Sequence, residues 1–201
     1  MSPYIFYLYS IKHSKEIVMT VRNRGFEVVS KYKDEFVFTL EEFNEEFHKD
    51  TPVEELPKRV KRLFTMPARG TKKSACYDIY NNTGEAIKLG AGELSGAITT
   101  YIKSYMLDDE VLMAYVRSSH GFKFSVRLAN STGIIDCDYY DNPKNEGEIF
   151  IKLHNQGDKP LFIGAGEAMG QVMFQKYLLA DDDDQTVGGD REGGIGSTSG
   201  K

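Results

Sequence analysis

Gly133-Ile134-Ile135-Asp136-Cys137-Asp138-Tyr139 is an apolar run that delivers two acids, one residue apart, and then a tyrosine. Side chains alternate faces along an extended strand. Regular alternation puts Asp136 and Asp138 on one face, with Cys137 and Tyr139 on the other. Two like charges on one strand face repel each other, so the pair calls for solvent, a cation or a chemical role. Similar runs surround this one, among them Val111–Val116, Glu148–Leu153 and Gln171–Gln175. From Met66 to Leu179 such runs are punctuated by Gly, Asn, Asp and Pro. That texture predicts an all-β antiparallel sandwich or barrel.

Outside this region the pattern changes. Phe26–Tyr32 alternates well enough for one more strand. Thr39-Leu40-Glu41-Glu42 and Thr51-Pro52-Val53-Glu54 each fit a capping box. Leu40, Phe43 and Phe47 follow helical spacing, as do Val53, Leu56, Val60 and Leu63. Residues 39–64 therefore read as a small helical pair inserted near the N-terminus, a candidate surface for a protein partner. Residues 1–20 read as a leader, 21–180 as the β domain, and 181–201 as a mobile C-terminal arm rich in Gly, Ser and Thr. The patch Tyr4–Tyr9 is too short to span a membrane and lacks the features of a secretory signal.

A chain of 201 residues can bury one sizeable core. Its net charge of −5 argues against a nucleic-acid-gripping surface. A polyanionic ligand would have to be held by a few local donors and a divalent cation. Two cysteines, Cys76 and Cys137, suit a reducing compartment rather than a disulfide scaffold. The four histidines show no ligand spacing, and no Walker A, Rossmann or nucleophile-elbow motif is present.

Several short motifs carry polar chemistry at strand ends. Ala75-Cys76-Tyr77-Asp78 supplies an acid. Arg117-Ser118-Ser119 offers a guanidinium fork with two hydroxyls, a set suited to phosphate. Gly166-Glu167-Ala168-Met169-Gly170-Gln171 opens a further strand. Arg191, with Gly193-Gly194-Ile195-Gly196-Ser197-Thr198, offers open backbone N–H groups and hydroxyls. Together, and in this order with Gly133–Tyr139, these motifs resemble the trimeric dUTP diphosphatases (dUTPases), over residues 66–201. Arg24–Val29 resembles the first strand of the phage and Gram-positive branch.

The resemblance implies a distorted jelly roll, a homotrimer, and Mg²⁺-dependent cleavage of dUTP to dUMP and pyrophosphate. It implies that Asp136 orients the attacking water and that Tyr139 packs under the deoxyribose and excludes a 2′-OH. Asn130 and the main chain at Gly133 would read the uracil edge. Arg117, Ser118, Ser119 and Gln171 would contact phosphate, and Asp78 would lie near the water shell of the metal. Arg191, Ile195, Gly196, Ser197 and Thr198 would belong to an arm that closes over the substrate. Asp136 and Tyr139 must then serve one pocket, so the strand is expected to bend after Asp136. The sequence departs from the family at Ile195, where a phenylalanine usually stacks on uracil, at Cys76 and Asp141, where glycine is common, and at Ser199. The turn Asn142–Gly147 is longer than usual. A cytoplasmic setting in a bacterial or phage-infected cell follows. The alternatives are a dUTPase-fold regulatory protein acting through residues 39–64 and a dCTP deaminase.

Overall fold

The computed structural model describes residues 6–8, 19–39, 42, 62–181 and 183. Sixteen strands are assigned among them, in the order β1 (Phe6–Leu8), β2 (Met19–Val21), β3 (Gly25–Val28), β4 (Phe36–Val37), β5 (Arg62–Leu63), β6 (Tyr77–Tyr80), β7 (Ile87–Leu89), β8 (Ile98–Thr99), β9 (Ile102–Tyr105), β10 (Glu110–Tyr115), β11 (Val126–Leu128), β12 (Gly133–Asp136), β13 (Phe150–Ile151), β14 (Leu153–Asn155), β15 (Leu161–Ile163) and β16 (Ala168–Lys176). One short helix, α1 (Ser118–Phe124), follows β10. The domain is all-β, as its strand texture predicts, and a distorted jelly roll, as the family resemblance implies.

Its spine is a four-stranded antiparallel sheet in the order β12-β10-β16-β6. Along β10, Glu110, Leu112 and Ala114 are buried while the residues between them are half-buried, the period-two pattern of a strand with one core face. Leu112 and Val172 of this sheet meet Leu153, Leu161 and Ile163 from the opposite pairs in one continuous core. Full burial of each such side chain contributes about 1.5–3 kcal/mol before the cost of ordering. Gly170 has a packing reason. A Cβ there would lie 2.7 Å from Ile151 Cδ1. β16 shifts register between Ala168 and Gly170, which then sets Gln171 opposite Asp78.

Glu110 is buried at the start of β10, and its carboxylate takes a bidentate fork from Arg24, with contacts of 2.6–3.0 Å. Burial opposes ionisation of this carboxyl, but Arg24 and the Leu107 N–H outweigh it and hold its pKa below the usual value. The segment ahead of β3 is thereby tied to the central sheet.

Three expectations need correction. The strand expected over Phe26–Tyr32 stops at Val28, and a 3-10 turn occupies Ser30–Glu35. Val29 N–H bonds to Tyr101 O, and Tyr32 turns back to stack edge-on against Tyr101, with ring centroids 4.9 Å apart. The run Glu148–Leu153 is split into β13 and β14, where the chain changes partner from β8 to β11. Arg62 and Leu63 form strand β5, not the end of a helix. β5 pairs in parallel with β4, and Phe64 N–H bonds Val37 O at 2.8 Å.

That pairing brings the two ends of the expected insertion together. At its entrance the first capping box is formed: Glu42 N–H donates to Thr39 Oγ1 at 3.1 Å, and Glu42 Oε2 accepts from Thr39 N–H at 2.9 Å. The remainder of the expected helical pair lies outside the described residues, as does the expected arm from Asp184 onward. Among the described residues no helix is long and apolar enough to cross a membrane.

Candidate functional site

Strands β6, β16 and β10 lie side by side, and their register brings Asp78, Gln171 and Tyr115 into one row. β10 ends beside this row, and Arg117 caps α1. The result is an open cavity of about 440 Å³ lined by Asp78, Arg117, Ser118, Ser119 and Gln171, with Cys76 and the Gly70–Ser74 turn at its rim. Five residues expected from three separate motifs thus meet in one place.

Arg117 Nε lies 3.3 Å from Asp78 Oδ1, and its Nη1 reaches Ala168 O at 3.5 Å. The ion pair holds the guanidinium across the cavity, and 35 % of the Arg117 side chain stays exposed for a ligand. Gln171 Nε2 donates to Val116 O at 3.0 Å, which fixes the amide against the strand that leads to Arg117. Ser118 and Ser119 are exposed in the first turn of α1. The hydroxyls and the guanidinium on one wall can all donate hydrogen bonds, and the guanidinium adds positive charge, a set that suits phosphate oxygens. Burial, and then the charge of Asp78, push the Cys76 thiol pKa up, so this cavity cysteine is held as a thiol.

The second group of expected residues lies elsewhere on the same sheet. β12 is its edge strand, and Asp136 pairs with Val111 at the far end of β10 from Tyr115. The turn before β12 is tight: Ser131 N–H bonds Leu128 O at 2.9 Å, and Ser131 adopts φ 64°. A Cβ on Gly133 would press on Ala114 Cβ at 3.0 Å and come within 3.8 Å of Asn130 Nδ2. Asn130 and the buried Gly133 main chain therefore sit together.

β12 ends at Asp136, and Cys137–Tyr139 forms a 3-10 turn. The expected bend is present. The initial regular-strand reading fails beyond Asp136, although burial still alternates, with Asp136 and Asp138 exposed and Tyr139 buried. Tyr139 is 7 % exposed. Its hydroxyl donates to Glu148 O at 2.8 Å.

Asn130, Gly133, Asp136 and Tyr139 do not line the cavity that holds Arg117. Asp136 stands beside Val111 and Gln171 beside Tyr115, on opposite sides of β10. Strand geometry then puts the backbones of Asp136 and Gln171 roughly 15 Å apart. Arg191, Ile195, Gly196, Ser197 and Thr198 lie outside the described residues.

Two features escaped the sequence reading. The Gly70–Ser74 turn lines the cavity and carries Lys72 and Lys73, both exposed. Arg69 shapes it by donating to Lys72 O and Ser74 O at 3.1 and 3.3 Å. The cluster of cations in Arg69–Lys73 was the available signal. The second is His120, which is buried directly behind the two serines, and whose Nδ1 has no hydrogen-bond partner. It carries no motif spacing to betray it.

Fold and site together define a strand-built protein with an open cavity whose lining suits phosphate. The dUTPase family model matches residues 62–198. The chain is 37 % identical over 175 residues to a deoxyuridine 5′-triphosphate nucleotidohydrolase of Lactococcus lactis subsp. lactis, covering 87 % of this chain and 97 % of that one. It is 31 % identical over 159 residues to the Actinobacillus succinogenes protein of the same description, covering 76 % and 99 %. The crystal structure of dUTPase from Streptococcus mutans superposes with a TM-score of 0.55 at 32 % identity, covering 78 % of this chain and 98 % of that one. The chain belongs to the dUTPase family, with relatives on its Gram-positive side.

Proposed function

We propose that this protein hydrolyses dUTP to dUMP and pyrophosphate in the cytoplasm, which limits uracil entry into DNA and supplies dUMP for dTMP synthesis. The observation that carries this reading is the cavity where Asp78, Arg117, Ser118, Ser119 and Gln171 converge. In this reading Arg117, the two serine hydroxyls and the Gln171 amide hold the phosphate chain. Asp136 accepts a hydrogen bond from the attacking water and takes its proton, which raises the nucleophilicity of the oxygen directed at the α-phosphorus. Tyr139 packs beneath the deoxyribose, and Asn130 with the Gly133 main chain reads the uracil edge. Arg191, Ile195, Gly196, Ser197 and Thr198 would close over the bound nucleotide.

Among the described residues no group of three or more His, Cys, Asp or Glu side chains could cage a metal ion. Asp78 is a single carboxylate facing a phosphate-sized space, which fits a cation such as Mg²⁺ that keeps its waters and rides on the phosphates. When bound, Mg²⁺ would offset phosphate charge, and Asp78 would accept hydrogen bonds from its water shell.

Homotrimer formation fits the same geometry. Asp136 and the Arg117 cavity of one chain lie too far apart to grip adjacent phosphates of one substrate. A second copy that brings its cavity to the first copy's Asp136 closes the gap. The free side of edge strand β12 and the 65 % exposure of Ile134 support burial there. Binding of another protein through residues 39–64 is the finer proposal for partners, with the clamp at β4 and β5 presenting that segment from one point.

A nucleotide panel with pyrophosphate detection tests the activity. Release from dUTP, with far less from UTP, dTTP and dCTP, is expected. Ammonia from dCTP, or no release from dUTP, overturns the assignment.

A further inference from the structure

The turn between Tyr139 and Glu148 is built around the tyrosine. Asn142 Nδ2 donates to Tyr139 O at 2.8 Å and to Asn145 Oδ1 at 2.7 Å. Asn145 Nδ2 donates to the Tyr139 hydroxyl at 2.8 Å, and that hydroxyl donates onward to Glu148 O. Asn145 Oδ1 also accepts Gly147 N–H at 3.2 Å. With two donors on its oxygen, the Asn145 amide must turn its NH₂ toward Tyr139. Gly147, at φ 80°, lies so close that a Cβ would sit 2.5 Å from Tyr139 O.

The outer side of the turn is pinned as firmly. Asp141 and Glu146 both adopt left-handed backbone, φ 54° and 57°, a conformation unfavourable for residues with a Cβ. Their carboxylates converge on the Lys103 ammonium, whose side chain is 6 % exposed. Glu146 Oε2 also accepts Ser30 N–H at 3.0 Å. A buried tyrosine hydroxyl needs one partner to be satisfied. Here the residue is held at both ends: its ring hydroxyl by a donor and an acceptor, its main-chain carbonyl by Asn142.

We propose that Asn145 is a positioning residue for sugar selection, holding the Tyr139 ring so that a ribose 2′-OH finds no space. This rests on the reading of Tyr139 as the residue beneath the sugar. Rejecting one added oxygen by contact alone requires a wall that does not yield. A ring freed at its hydroxyl end can swing and admit it. The long turn, which sets this chain apart from the family's common pattern, is then the frame of the specificity wall.

The test is the ratio of kcat/KM for dUTP to that for UTP, with Tm measured alongside. Asn145→Ala is expected to lower the ratio about fivefold to tenfold, the worth of one buried hydrogen bond, chiefly through faster UTP cleavage. Asn145→Asp keeps both acceptor contacts and loses the donor to the hydroxyl, so it should shift the ratio in the same direction with a smaller change in Tm. In Tyr139→Phe the hydroxyl is gone, and adding Asn145→Ala should change the ratio no further. A lowered Tm with an unchanged ratio in both Asn145 variants overturns the proposal, as does an additive double variant. Tyr139→Ala separates the two layers. If it collapses the ratio while the Asn145 variants keep it, the positioning role alone falls. If it leaves the ratio intact, the sugar-contact reading falls as well.

Discussion

The cavity beside Arg117 and the turn around Tyr139 flank the same sheet and are built by opposite means. The cavity is open. Its serines are exposed, and the one ion pair across it leaves a third of the Arg117 side chain free. At Tyr139 the polar atoms of the ring and its carbonyl have internal partners, and the ring is 7 % exposed. Under the proposed function, the difference follows from what each would have to recognise. Phosphate charge acts over several ångströms and tolerates adjustable donors. A single sugar oxygen is detected only by a surface fixed within a fraction of an ångström. The electrostatic half can therefore be loose, and the steric half cannot.

The largest expected effect lies at the junction of the two halves. Asp136→Asn should lower kcat by about a thousandfold, with little change in Tm, since the side chain is exposed at the end of an edge strand. Near-normal turnover would remove Asp136 from the chemistry. The same variant tests whether the halves meet between chains. Asp136→Asn should be nearly inactive alone, and Arg117→Gln should keep at most about a tenth of the wild-type kcat/KM. Refolded together in equal amounts, they should regain about a quarter of wild-type activity, because random assembly pairs an intact hairpin with an intact cavity at that frequency. No recovery in verified mixed oligomers would mean that each chain completes its own site.

Next in size is the cavity by itself. Arg117→Gln removes the charge-assisted fork and leaves Asp78 unpaired, so kcat/KM for dUTP should fall about tenfold to a hundredfold. The dUTP/UTP ratio should stay level, because phosphate contacts do not see the sugar. A change in that ratio would show that the halves are coupled through β10. The Lys72→Ala/Lys73→Ala pair should act more weakly. It should raise KM by a few-fold in low salt and by less in high salt, as expected for exposed charges near a polyanion.

The cavity was the more legible half. Its side chains come from short motifs whose residue types announce phosphate chemistry, and strand register then fixes their meeting. Arg117-Ser118-Ser119 needed only to sit at a strand end. The construction of the hairpin half was not legible. Asp136 and Tyr139 were named from sequence, yet nothing in Asn142–Gly147 states that two asparagine amides fold back on the preceding tyrosine. That depends on left-handed backbone at Asp141 and Glu146, stabilised by a lysine far away in sequence. Arg62–Leu63 misled for a related reason. Leu63 continues the helical spacing of Val53, Leu56 and Val60, and only the contact with Phe36–Val37, which periodicity cannot see, makes the pair a strand.

The smallest effect separates the halves by pH. His120 lies behind Ser118 and Ser119, and burial, followed by the Arg117 charge, lowers its imidazole pKa. An imidazole whose folded pKa lies below its ordinary value near 6.5 gives full stability above that value. Stability is lost as pH falls, because the unfolded chain takes up the proton first. At the Tyr139 turn the comparable group is Glu146. Burial raises its pKa, but Ser30 N–H and Lys103 outweigh burial and leave the carboxyl below its ordinary 4.5. Its contribution is complete above 4.5 and fails only below it. Acidification should therefore loosen the cavity first. As pH falls below about 6.5, KM for dUTP should rise and Tm should fall slightly, while the dUTP/UTP ratio holds. His120→Leu should flatten the Tm change over that range. If the ratio falls as KM rises, the two halves do not respond independently to protons.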